Sequence, residues 1–275
     1  MTSPVAESAP VVADFTFSFN CLPEVDLDER FAAAAAAGFT DVGISLRWLG
    51  LWLQDGHDLD EFAALLDAHG LRLTELEAVR VMQEAPDPKM ELVPALAERF
   101  RPARLQSVAP YAGTPDDAAA RAGAVADLMA PWGVDVVLEP LPFTNMQTPS
   151  DAAAIIDRAG RPNLSMCMDV WHLYRMGLDV DHLSGLWPYI STVQFNDGTV
   201  VSELPDDLLQ DCLVNRRVPG TGEFDLVELI RQRNSHRPDS TFSIEVISST
   251  LHQQDSFTTA QQIADGITAV LDASR

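Results

Sequence analysis

The feature that most constrains this chain is a strand-then-helix rhythm that recurs eight times along it. Parallel strands need crossover connections, usually helical, so the rhythm points to a parallel sheet with helices packed outside it. The first unit is the alternating run Phe15-Thr-Phe-Ser-Phe-Asn20, followed by a helix over 26–37, where an alanine run favours helix and Gly38 is a stop. The second joins a strand over 41–46 to a helix over 59–69 closed by Gly70, and the third joins 71–79 to 89–100. The fourth joins 103–109 to a helix that opens with Thr114-Pro-Asp-Asp117, a cap residue followed by proline and early acids, and runs to about 130. The remaining units pair 134–139 with 150–159, 164–169 with 180–186, 190–195 with 225–233 across a long loop, and 241–246 with 256–271. Eight units within 275 residues have the repeat length of an α/β chain closed into a (β/α)₈ TIM barrel. A doubly wound sheet is the competing architecture, but no strand leads into the Gly-x-Gly-x-x-Gly turn with which such sheets bind phosphate. No linker or composition shift divides the chain, so the sequence predicts a disordered tail over 1–13 and one barrel domain over 14–275.

Charge narrows the range of partners. Acidic residues outnumber basic ones 41 to 18, a formal charge of -23, so phosphate backbones and anionic lipid surfaces are repelled. Neither a nucleic acid nor a membrane is expected as a partner. Lys89 is the single lysine and lies in the turn-like stretch after Ala85-Pro-Asp-Pro88, poorly placed for Schiff-base chemistry, and there is no Walker-type Gly-Lys-Ser/Thr. Cys21, Cys167 and Cys212 are odd in number and widely spaced, which suits reduced thiols in a cytosol. With no signal-like N-terminus and no apolar twenty-mer, a cytoplasmic location is expected.

In a barrel the C-terminal ends of the strands converge on one face, so polar residues there meet although they are far apart in sequence. Glu139 ends the fifth strand, Asp169 the sixth, Gln194 lies near the end of the seventh and Glu245 in the eighth. Three carboxylates and an amide oxygen make a hard-oxygen cluster suited to one divalent metal ion, Mn²⁺ or Mg²⁺ before Co²⁺ or Zn²⁺. Crowded there without a cation, the carboxylates would repel one another. Buried salt bridges are the alternative for each acid taken singly. His172, three residues past Asp169, is placed to donate to an oxygen or to cap locally, and Trp48, Trp52, Phe143 and Trp171 follow strand ends where they wall a pocket or simply pack.

These residues sit in motifs that resemble the xylose-isomerase-like TIM-barrel family of sugar isomerases and epimerases, which includes endonuclease IV and a group of dehydratases. The matching stretches are Leu138-Glu-Pro-Leu141, Asp169-Val-Trp-His172, Val193-Gln-Phe-Asn-Asp197, Arg216-Arg-Val-Pro-Gly-Thr-Gly222 with Asp225, and Ile244-Glu-Val246. They fall within about residues 135–247; the first half matches in its rhythm alone. The resemblance implies that Glu139, Asp169 and Glu245 bind the metal, with Glu139 and Glu245 also the acid/base pair. It further implies that His172 faces a substrate oxygen and that Arg216 or Arg217 binds substrate. One position departs: where the family commonly has histidine, this chain has Gln194, a weaker ligand that favours harder ions. That exchange resembles the family's dehydroshikimate dehydratases. The endonuclease reading fails on charge and on the scatter of the six histidines.

The expected reaction begins with removal of the proton between the carbonyl and hydroxyl of a sugar, polyol or related hydroxy-carbonyl compound, through a metal-bound enediolate. Returning the proton gives isomerisation or epimerisation. Expelling a β-hydroxyl instead gives dehydration, the dehydratase alternative. The expected partner is a small hydroxy-carbonyl substrate, and the sequence leaves room for a homo-oligomer.

Overall fold

A computed structural model describes residues 10–275. The strands are β1 (Phe15–Phe17), β2 (Asp41–Ser45), β3 (Arg72–Val79), β4 (Arg104–Val108), β5 (Asp135–Glu139), β6 (Leu164–Asp169), β7 (Ile190–Phe195) and β8 (Thr241–Ile244). Each pairs in parallel with its neighbours in chain order, and β1 pairs with β8 to close the barrel. The helices are α1 (Leu27–Ala36), α2 (Leu46–Gln54), α3 (Leu59–His69), α4 (Val93–Phe100), α5 (Pro115–Met129) and α6 (Pro149–Ala159). They continue with α7 (Val170–Arg175), α8 (Leu208–Val214), α9 (Leu226–His236) and α10 (Ser256–Ser274). On α10 the buried residues Ile263, Ile267, Val270 and Leu271 recur at helical spacing, and the helix closes the ring by packing on α1.

Local chemistry accounts for the departures from the sequence reading. The helix expected from residue 89 starts at Val93, because Pro88 opens only a 3₁₀ turn, Pro88–Glu91, before Pro94 sets the first turn of α4. The helix expected over 180–186 shrinks to a 3₁₀ turn at Val180–Leu183. Three helices were not foreseen: α2 and α7 start within one residue of a strand end, and α8 interrupts the long loop after β7. β1 stops at Phe17, and Phe19–Cys21 turns in 3₁₀ geometry. Of the tail expected over 1–13, residues 1–9 lie outside the described residues, whereas Val12–Asp14 form a 3₁₀ turn ahead of β1.

Alternation along the strands fills the barrel with two polar layers, since every second side chain points inward. The lower layer holds Thr16, Glu75, Arg104, Thr192 and Ser243, all buried. Arg104 crosses it, donating to Thr16 Oγ1 at 2.8 Å, Glu75 Oε2 at 3.0 Å and Thr241 Oγ1 at 3.1 Å, while Ser243 Oγ donates to the same Glu75 oxygen at 2.6 Å. Two residues further on lie Ser18, Glu77, Gln106, Glu139, Asp169, Gln194 and Glu245, again all buried. That upper layer is the floor of the candidate site.

Candidate active site

The upper layer opens into a cavity of about 580 Å³ at the C-terminal end of the barrel, lined by Asn20, Glu77, Gln106, Glu139, His172, Arg216 and Glu245 with Leu141, Phe143 and Leu209 on its walls. Each acid is held by donors from other strands. Glu139, the last residue of β5, accepts from Gln106 Nε2 at 2.7 Å, and its other oxygen lies 3.2 Å from His172 Nε2. Asp169 ends β6 and caps α7: one oxygen accepts from the Trp171 N–H at 2.7 Å and from Asn196 Nδ2 at 3.0 Å, the other from Arg216 at 2.7 Å. Because Asp169 caps α7, His172 is fixed on the first turn of that helix and faces Glu139. Glu245, one residue past β8, takes Asn20 Nδ2 on one oxygen at 2.8 Å and Arg216 on the other at 2.7 Å. Gln194 Oε1 accepts from Gln106 Nε2 at 3.2 Å, and its buried Nε2 has no partner.

Burial raises the pKa of Glu245 to about 8, with Asp169 and Glu139 pushing the same way against the pull of Arg216. Burial also drives Glu77 well above the usual carboxylate range, reinforced by Glu75 and Glu245. For Asp169 burial acts upward too, but Arg216, His172, Asn196 and the Trp171 N–H outweigh it and hold the group low. Burial opposes the charge on Arg216, which Asp169, Cys212 and Glu245 nevertheless keep protonated. The thiols are unsuited to act as nucleophiles: burial raises Cys21, Cys167 and Cys212, the last to about 11.

Several sequence candidates therefore meet: Glu139, Asp169, His172, Gln194, Arg216 and Glu245 stand together at one end of the barrel. Arg217 does not join them. It pairs with Glu203 at 2.6 Å over a neighbouring groove, because adjacent residues of an extended segment point to opposite sides. Trp48 is also outside the cavity lining: it lies on α2 with its ring 5.7 Å from Phe19. Trp52 stacks on His57 at 4.1 Å, whereas Phe143 meets His172 edge-on at 5.9 Å and does wall the cavity. Lys89 is engaged by Asp87 and the Ala78 carbonyl and is not among the cavity-lining residues.

The stretch from Arg216 to Gly222 has a scaffold role beside its site role. Asp197 accepts from the N–H groups of Gly198, Gly220, Gly222 and Phe224, folding that loop back on β7. A Cβ on Gly222 would lie 2.2 Å from Asp197 Oδ1, so only glycine fits there. The sequence reading missed Asn20, Glu77 and Gln106. The signal available for the last two was alternation, Glu75 with Glu77 and Arg104 with Gln106, two inward residues on each strand.

The residues fit a divalent cation. Glu139, Asp169 and His172 offer ligand atoms that lie within 4.8 Å of one another, all buried. Three carboxylates facing a single guanidinium leave a surplus of negative charge that a hard cation would balance. Arg216 now bridges Asp169 and Glu245, so a cation shared by all the acids would displace it from at least one of them.

A family model, the xylose isomerase-like TIM barrel, matches residues 31–270. The chain belongs to this family. No curated protein matches the sequence as a relative. Among solved structures it is similar to a fusion protein of a xylose isomerase-like TIM barrel and a 4-hydroxyphenylpyruvate dioxygenase, at 17% identity and TM-score 0.78 over 95% of this chain; it spans 43% of that one. It is similar to the probable 3-DHS dehydratase AsbF from Bacillus anthracis, at 16% identity and TM-score 0.74 over 92% of this chain and 98% of that one. An L-ribulose 3-epimerase shares 16% identity with TM-score 0.70, covering 95% of both chains. At such identities the likeness is one of fold. Within the described residues, no helix is long and apolar enough to cross a membrane.

Proposed function

We propose that the protein is a divalent-metal-dependent isomerase or epimerase of a sugar, polyol or related hydroxy-carbonyl compound. The observation that carries this reading is the placement of Glu139 and Glu245 in one cavity, on strands three apart around the barrel, each with its carboxylate fixed by neighbouring donors. Such a pair can address a substrate carbon from two sides, one taking a proton and the other returning it. Glu139, Asp169, Gln194 and Glu245 would hold the cation, which when bound acidifies the carbon between a carbonyl and a hydroxyl. The buried Glu245, with its pKa near 8, is suited to exchanging a proton close to neutral pH. His172 Nε2 donates to a substrate oxygen in place of Glu139, and Arg216 binds a second oxygen while keeping Asp169 ionised. Phe143 and Leu141 exclude water above the reacting carbon.

Gln194 favours a second reading, a dehydratase of the 3-DHS type, because an amide in place of imidazole selects a harder cation. Both readings share the first step, and one experiment separates them. The Mn²⁺-loaded protein is incubated in deuterated water with a panel of ketoses, inososes and 3-dehydroshikimate and followed by NMR. Deuterium at the carbon next to the carbonyl, without loss of water, supports the isomerase or epimerase. An alkene product supports the dehydratase. Turnover with complete retention of the original hydrogen, or full activity in Glu245→Gln, would contradict both.

A further inference from the structure

Glu77 lines the same cavity but is absent from the scheme above, and its seat is specially made. A Cβ on Gly43 of β2 would lie 2.0 Å from Glu77 Oε1, so the strand leaves a notch for this carboxyl, and the β2–β3 register shifts between Val42 and Gly43. From the notch Glu77 gathers three consecutive residues after β1: the Phe19 N–H on Oε1 at 3.0 Å, and Ser18 Oγ at 2.9 Å with Asn20 Nδ2 at 3.4 Å on Oε2. The Asn20 N–H returns to Ser18 Oγ at 3.2 Å, so the turn closes on itself around the carboxyl. The same Asn20 amide group donates 2.8 Å to Glu245 Oε1, while Arg216 holds Oε2.

We infer that Glu77 and Asn20 are positioning residues for Glu245: the carboxyl seated on Gly43 anchors the 18–20 turn, and the turn presents Asn20 Nδ2 to fix the rotation of the Glu245 carboxylate. The inference rests on the reading of Glu245 as ligand and base. Side chains that orient a ligand are worth about 10–100-fold in metal affinity, so the arrangement has a measurable consequence. Glu77 and Glu245 share no direct hydrogen bond and are joined through Asn20 Nδ2, so as far as orientation goes the loss of Glu77 should cost nothing further once Asn20 is gone.

The test is Mn²⁺ titration by calorimetry of the wild type, Asn20→Ala, Glu77→Ala, Glu77→Gln and the Asn20→Ala/Glu77→Ala double variant, with the Tm of each metal-free protein alongside and Glu245→Gln as reference. Asn20→Ala and Glu77→Ala should each weaken Mn²⁺ about 10-fold or more, and the double variant no further than the weaker single one. Glu77→Gln keeps an acceptor for the Phe19 N–H but sets an NH2 group against Asn20 Nδ2, so it should weaken Mn²⁺ by less than Glu77→Ala does. If Glu77→Ala does not fold, Asn20→Ala and Glu77→Gln still decide. A lowered Tm with unchanged Mn²⁺ affinity in Asn20→Ala would overturn the inference and leave a merely structural role. Failure of the wild type itself to bind Mn²⁺ would refute the ligand reading instead. In that case the crystal structure of metal-free Asn20→Ala decides: a Glu245 carboxylate rotated from its wild-type position supports positioning, and an unmoved one overturns it.

Discussion

The two polar layers inside the barrel are built from the same strands two residues apart, yet they treat charge in opposite ways. Below, one acid meets one base: Glu75 pairs with Arg104, and the hydroxyls of Thr16, Thr241 and Ser243 add hydrogen bonds to the pair, leaving Glu75 Oε1 and Arg104 Nε without a partner. Above, four acids, Glu77, Glu139, Asp169 and Glu245, share fewer cations: Arg216 pairs with Asp169 and Glu245, the buried Arg30 lies near enough to Glu77 to feel its charge, and His172 lies beside Glu139. A balanced buried pair is a closed plug that fixes the barrel's shape. A layer with surplus acid is costly in an empty protein and becomes favourable only with a cation or a proton, which is what a site requires.

The contrast is most easily broken from below. Arg104→Met leaves Glu75 buried without its counter-ion, with only the Ser243 hydroxyl still on it, and should cost about 3–5 kcal/mol in urea denaturation, with most of it recovered when Glu75→Leu is added. If the single variant kept wild-type stability, the lower layer would not be the plug described.

Glu245→Gln should act in the opposite direction on the metal-free protein. With its folded pKa raised to about 8, Glu245 stays protonated in the native state while the unfolded chain ionises in the ordinary carboxylate range. Stability therefore falls as pH rises from that range to about 8 and then levels, by an amount on the order of 5 kcal/mol at most. Glu245→Gln should flatten this slope in EDTA-treated protein, read by urea denaturation at acid and alkaline pH. Parallel pH profiles for wild type and variant would mean that the upper layer holds no surplus charge.

These layers also show how far the sequence could be read. Glu139, Asp169, Gln194 and Glu245 were legible because each stands at or next to the end of a recognisable strand, where barrel geometry alone brings them together. Glu77 and Gln106 were not, since two glutamates at alternate positions read equally well as a solvent-facing edge until the register of β3 is known. Asn20 was hidden by the early end of β1, which the unbroken Phe-x-Phe alternation does not announce. Arg216 and Arg217 are indistinguishable as a dipeptide, and only the strand-like pairing of that loop with Asp197 turns one inward and the other out to Glu203.

A smaller effect sharpens the comparison within the upper layer. If Gln194 ligates through its amide oxygen, Gln194→His should shift preference from Mg²⁺ or Mn²⁺ towards Zn²⁺ or Co²⁺ by about 10-fold, or about 1.4 kcal/mol, and leave the Tm of the metal-free protein nearly constant. Competitive titration with Mn²⁺ and Zn²⁺ checks this. Unaltered preference would reduce Gln194 to a packing neighbour of Gln106.

The central claim, that surplus acid in the upper layer is a cation site, is tested most directly by anomalous diffraction from a crystal soaked in Mn²⁺. The account predicts one strong peak within about 2.0–2.6 Å of oxygens from Glu139, Asp169 and Glu245, with Arg216 withdrawn from at least one of the carboxylates it now bridges. A fully occupied peak elsewhere, or none with Arg216 still bridging Asp169 and Glu245, would contradict it.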